Sequence, residues 1–325
     1  MKKQDCFKGL HRPKDVTVED SLNEELLKLS YIERNAIYEE IHGVRCLAVQ
    51  ETPELVGRSL REFDKELAVI LPSCLKYENT MKNVVVGVYD DNKADGINES
   101  SSSSASRYAC ANTTPDNIKN SCYVNDPQVR LRFLRCESFN AKKAVKRFVS
   151  FLELTRELFG DFVSERPIIF DDFSVKDSSF LEKSRTQWLP YRDRSGRRVL
   201  VGLGSMINKN PHVALKFLLY LCWTATEDLE TQQKGVVIVL WPYNEENKTP
   251  TNINEKYDAA KLKQYITGQG TGNPSRLESS IPVKIASIHF CAQNKTIHRS
   301  LCPLFYFGLI SIYKTRFIIH SGKLY

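Results

Sequence analysis

What this sequence lacks narrows it before any motif is considered. No apolar run reaches the roughly 18–20 residues that span a bilayer; the longest, "FLLYLCWTA" and "LCPLFYFGLISIY", both fall short. The N-terminal "MKKQDCFKGLHRPKD" carries charge but no apolar stretch of the kind a secretory signal needs. None of the nine cysteines forms a Cys-x-x-Cys pair. Cys222, Cys291 and Cys302 fall inside apolar runs, where a thiol behaves as a small hydrophobe rather than as half of a disulfide or a zinc ligand. Asn-x-Ser/Thr sequons at Asn98, Asn112, Asn247 and Asn294 carry no weight without a secretory signal. From Ile281 to the end there is no Asp or Glu, against six Lys and Arg. The expectation from these absences is a cytoplasmic protein with no metal and no cofactor.

What is present is ordinary for a folded chain. Apolar residues make up 42% and charged residues 26% of 325 positions, enough for a core built on burial alone and for one large domain or two smaller ones. The net charge of +7 is concentrated in that C-terminal stretch, in Arg130 to Arg147 and in Arg192 to Arg198. Basic surface attracts phosphate, in nucleic acid or in anionic lipid headgroups; the plainer reading is a solvated face. The clusters lack interleaved aromatics on a recognisable module, so nucleic acid is not expected as a partner.

Along the chain, residues 1–89 read as a helical N-terminal region. Ser30 and Glu33 have capping-box spacing ahead of Ile32, Ile37 and Ile41, and Gly43 can close that helix. Thr52-Pro53 is a second start, before Leu55, Val56, Leu60, Phe63, Leu67 and Ile70. Residues 90–122, with "NESSSSSASRYACANTTPDN", have little to bury and read as a disordered linker. Residues 123–165 hold a short helix with Phe133 and Leu134. A longer one follows, capped by Asn140, with Ala144, Val145, Phe148, Leu152, Thr155 and Phe159 on one face and Gly160 at its end. Its outer face is basic. Residues 166–325 alternate helix and strand. Helices near 175–183 and 210–230 separate the strands "RRVLVGL" and "KGVVIVLW". A polar helix "EKYDAAKLKQYI" and a Gly-rich loop then lead to "IASIHFC", an apolar helix and "TRFIIH". This order predicts α/β architecture with a mostly parallel, mixed sheet and helices packed around it. "GVVIVLW" is continuously apolar, as a strand buried on both faces would be.

The motifs that suggest chemistry are weak. Gly268, Gly270 and Gly272 resemble a dinucleotide loop, but a helix precedes them where a strand is required. Asp171-Asp172 could be paired acids; a turn is the simpler reading. In "IASIHFCAQNKTIHRS" the sixth residue after Cys291 is Ile297, not the arginine of a thiol phosphate loop. His289 and Cys291 would share a strand face, so a thiol-dependent enzyme at Cys291 stays open as a minor alternative. His289, His298 and His320 lie on different elements, without metal-ligand spacing.

Five segments together resemble one family. "LRFLRCESFNAKKAVKRF", "LPYRDRSGRRVLV" (with Asp193, Gly196, Arg197 and Val199), "GVVIVLW", "IPVKIASIHF" and "TRFIIHSG" follow the order found in CRAL-TRIO (Sec14-like) lipid-binding domains, over about residues 123 to 322. The resemblance implies a non-enzymatic protein whose sheet floors an apolar pocket for a lipid or other small hydrophobic molecule, gated by the helix after the "IHF" strand. It places pocket or gate side chains at Val199, Val201, Val237, Val239, Ile288, Phe290, Phe305 and Leu309. Lys295, Arg299, Lys314 and Arg316 flank the gate and would dock it transiently on an anionic membrane surface. Members that exchange phosphatidylinositol carry a lysine where this chain has Ser287, with Lys284 upstream, so no phosphoinositide specificity is implied. The alternative is a CRAL-TRIO-type interaction scaffold without lipid, recruiting a protein partner through its N-terminal helices.

Overall fold

Local signals begin the structure. The computed structural model describes residues 17–70, 84, 123–175, 186–203, 211–241, 279–292, 302, 306 and 311–321. Helix α1 (Val18–Leu27) starts at Thr17, whose hydroxyl accepts from the Asp20 amide while Asp20 accepts in return. Helix α2 (Tyr31–Ile41) uses the expected reciprocal cap. The Glu33 amide donates to Ser30 Oγ at 3.2 Å, and the Ser30 amide donates to Glu33 at 2.8 Å. Gly43 follows at φ +66°, a left-handed conformation glycine adopts without a Cβ clash. Pro53 opens α3 (Pro53–Ile70), with Thr52 accepting from the Leu55 amide. Asp126 caps α4 (Pro127–Cys136), and Asn140 caps α5 (Ala141–Phe159), accepting from the Lys143 amide at 3.0 Å.

The core grows from the apolar faces of these helices. Phe63 of α3 meets Phe148 of α5 edge-on, with centroids 5.6 Å apart; Phe133 of α4 meets both Phe148 and Phe151. Phe151 stacks on Trp223 of α6 (Pro211–Ala225) at 5.2 Å. Each such pair contributes roughly 0.5–1.5 kcal/mol beyond its burial. A short α7 (Leu229–Lys234) and a last α8 (Ser311–Lys314) complete the described α-helices.

The described strands form one five-stranded mixed sheet in the order β1 (Thr186–Arg192), β2 (Arg198–Leu203), β3 (Val236–Trp241), β4 (Ile285–Ala292), β5 (Phe317–Ser321). β1 pairs antiparallel with β2; the other three pairings are parallel. The fold is therefore α/β. β1 is an addition to the sequence reading, which took "RRVLVGL" as the first strand. The turn joining β1 to β2 explains the residues singled out there. Asp193 Oδ1 accepts from the Ser195 and Arg197 amides, and Gly196 sits at φ +81°. Gly235, at φ +78°, opens β3 so close to β4 that a Cβ would lie 2.5 Å from the Lys284 carbonyl oxygen.

The basic clusters need correction. Arg130 is buried on Asp64 of α3, Arg135 grips Glu51 at 2.8 Å and Gln232, and Arg147 pairs with Glu137 and donates to the Ile281 carbonyl. These arginines join segments across the interior, because each meets an acid or carbonyl brought in by the fold. Only Lys142, Lys143 and Lys146 of that stretch keep an exposed basic face on α5. Asp171-Asp172 is a turn: Asp172 accepts from the Ile169 amide and pairs with Arg166. Among the described residues no helix is long and apolar enough to cross a membrane. The linker at 90–122, the helix expected over 175–183 beyond Val175, the polar helix and the Gly-rich loop lie outside the described residues.

Candidate functional site

Strand alternation divides the candidate residues between two faces of the sheet. In register across β2, β3 and β4, Val199 lies beside Val237 and Ser287, and Val201 beside Val239 and His289. The intervening row is Leu200, Ile238 and Ile288. Ile288 and Phe290 belong to the hydrophobic core with the helices, 4% and 0% exposed. Val199, Val201, Val237 and Val239 occupy the opposite face and are not part of that core; Val237 is buried and the other three are half-buried. The six described pocket candidates are thus two groups, four on one surface and two behind it. Phe305 and Leu309 lie outside the described residues.

Beside the valines, the same face becomes polar. Ser287 is fully buried, and its Oγ lies 3.1 Å from His289 Nε2; His289 Nδ1 lies 2.9 Å from His320 Nε2 on β5. The two imidazoles are stacked within 9° of parallel. A neutral His289 satisfies both contacts, donating through one ring nitrogen and accepting through the other. Burial, reinforced by His320, Arg197 and His42, lowers its pKa to about 4, with Asp193 opposing. Cys291 is half-buried, and burial raises its thiol. Both His289 nitrogens are engaged elsewhere, so neither half of an activated thiol–imidazole pair is in place. Among the described residues no group of three or more His, Cys, Asp or Glu could hold a metal.

At the start of the parallel strands lies a buried ionic cluster that the sequence did not announce. Glu40, in the last turn of α2, has no exposed surface, and its carboxylate receives Lys284 at 2.8 Å and Arg316. Its backbone carbonyl accepts from Arg197 at 2.6 Å, and Arg197, 1% exposed, also pairs with Asp193. Burial alone would raise the Glu40 carboxyl; the Lys284 and Arg316 charges outweigh it and hold the pKa below its ordinary range. Arg316, expected to dock on a membrane, instead has its charge neutralised inside the molecule and donates to the Ala286 carbonyl at 3.0 Å. Lys314 is half-buried with its ammonium 5.8 Å from the Tyr306 ring centroid. Lys295 and Arg299 lie outside the described residues.

The local signal for Glu40 was absent: a glutamate on a short polar helix reads as solvated until β4 and β5 arrive, more than 240 positions later. His289 and His320 were visible as residues, but only the β4–β5 register makes them neighbours. No model of a known protein family matches the chain, and no curated protein matches it.

Proposed function

We propose that the chain is a CRAL-TRIO-like protein that binds, and transfers between membranes, a lipid or similar hydrophobic molecule without catalysis. One observation carries the reading: Val199, Val201, Val237 and Val239 form a contiguous apolar surface across two neighbouring strands, outside the packed core. Such a surface gains about 25 cal/mol for each Å² of apolar area that a ligand covers, which is the driving force for drawing a lipid from a bilayer. At the border of the valines Ser287, His289 and His320 satisfy one another, and a neutral His289 adds no fixed charge to the face. That suits an uncharged hydrophobic ligand better than a phosphate. The gating segment implied by the resemblance falls mainly among residues not described.

Native mass spectrometry of protein purified from a eukaryotic lysate tests this. One co-purifying lipid per chain is expected, and Val239→Trp, which fills the face, should remove it while leaving the fold intact. A clean apo mass after exposure to many lipid classes would sink the proposal. The scaffold reading has its own support in Leu27 of α1 and Tyr31, Ile32 and Tyr38 of α2, large apolar side chains that are exposed. A protein partner lost on truncating α1 and α2, with no lipid in either form, favours it.

A further inference from the structure

Among the described strands β5 stands at one end of the sheet, and its outer edge pairs with none of them. The β4–β5 ladder is parallel, and the Ile288 amide donates to the Arg316 carbonyl at 3.0 Å. In a parallel ladder this bond sets the alternation. Arg316, Ile318 and His320 turn their backbone groups toward β4, and Phe317 and Ile319 turn theirs outward. Those outward groups have no backbone partner among the described residues.

Helices α1 and α2 do not close over this edge. They leave a groove of about 640 Å³ beside it. Phe317, Ile318 and Ile319 all line it, although alternate side chains point to opposite faces. Three consecutive residues share one groove only when it runs along the edge of the strand. The facing wall is apolar, with Leu22 and Leu26 from α1 and Ile37 and Ile41 from α2. Arg34 lines it too, and its Nε is buried without a hydrogen-bond partner. Glu19 and His42 are the other titratable side chains on the rim apart from the tyrosines.

We propose that this groove receives an extended peptide from a partner protein, which pairs with β5 as a sixth strand and presents an acidic side chain to Arg34. β5 spans about 16 Å, enough for about five paired residues. The backbone edge decides the ligand class. A fatty chain laid in the groove would cover the N–H and C=O groups of Phe317 and Ile319 and offer them nothing, at the cost of leaving buried polar groups unpaired. A peptide strand satisfies them and sends alternate side chains against the α1–α2 wall, the mode by which exposed sheet edges recruit partners. Arg34, whose buried Nε has no hydrogen-bond partner among the described residues, matches a carboxylate at one peptide position. This surface meets the valine face only at Ile318, in register with His289, and its test reads backbone pairing at β5, so it stands or falls separately from lipid binding.

The test uses the full chain and a panel of acetylated, amidated octapeptides alternating valine with threonine, each carrying one glutamate at a successive position. Fluorescence anisotropy should find at least one binder, at least tenfold weakened when glutamine replaces its glutamate. Arg34→Gln should erase that preference. N-methylating alternate residues of the binder should abolish binding in one phase of the alternation and leave it unchanged in the other, whichever way the peptide runs. Ile319→Pro removes only an outward N–H, a change that edge strands tolerate, and should lower affinity tenfold or more. The peptide-side methylation remains decisive if that variant fails to fold. The proposal is overturned if no panel member binds, or if methylation in both phases is tolerated. It is overturned as well if oleate occupies the groove with no sensitivity to Ile319→Pro, or if a concentration-dependent dimer dissolved by Ile319→Pro shows that a second copy fills it.

Discussion

The two faces of the sheet are built from the same strands and differ residue by residue. On one, Leu200, Ile288, Phe290 and Phe317 are almost fully buried, and the last three merge with the aromatic core of α3, α4 and α5. On the other, Val199, Val201 and Val239 are half-buried beside a pair of imidazoles. Both faces are mainly apolar, so hydrophobicity alone does not distinguish them. The difference is one of partners: the first face is filled by the chain's own helices, and the second offers apolar surface beyond what the core consumes. Folding should depend on the first, and the proposed ligand capture on the second.

The sharpest way to break this contrast is Phe290→Ala. Removing a fully buried aromatic should cost about 3–5 kcal/mol, read from the urea midpoint at unchanged slope. An equal loss from Val239→Ala would mean that the two faces are not different in kind.

Glu40→Gln comes next. It leaves Lys284 and Arg316 facing a neutral amide in a buried site, at a cost of about 3 kcal/mol. Because the carboxyl is held below its ordinary 4.5, its contribution is complete above that pH and is lost as pH falls through the depressed value. The variant should therefore flatten the acid limb of a stability–pH curve in that range.

His289 produces an effect in a different window. Its folded pKa of about 4 lies below the ordinary 6.5, so the unfolded chain binds more protons between those values. Stability should be complete above about 6.5, decline as pH falls and level off below about 4. His289→Gln should remove that slope and leave the lower one. A ring titration near 6.5 by NMR would refute the neutral, doubly bonded imidazole. Smallest is Val239→Ala, expected to cost about 1 kcal/mol or less of stability because the side chain is half-buried. If the proposed function holds, its larger effect should appear as loss of a co-purifying lipid.

Legibility in the sequence followed distance along the chain. Ser30, Thr52 and Asn140 were readable as helix starts because a cap and its amide lie within three residues. The strand segments were readable from their apolar runs. The faces were not: a one-residue ambiguity in parity exchanges Ile288 for His289, and only pairing with β3 and β5 settles which side is which. The arginines of α4 were misread as surface for the same reason. Nothing near Arg130 or Arg135 signals Asp64 or Glu51, which lie 66 and 84 positions away. β1 was missed because Pro190 and charged neighbours hide its alternation, and its edge position permits both.

The buried Glu40 also has a consequence in time. Its two cationic partners stand at the starts of β4 and β5, 244 and 276 positions downstream. A nascent chain makes α2 early but cannot neutralise that carboxylate until nearly the whole protein has emerged. Contacts this remote are the slow ones to form, so α2 is expected to dock on the sheet late. A chain cut short before Arg316 would keep Lys284 alone against that buried carboxylate.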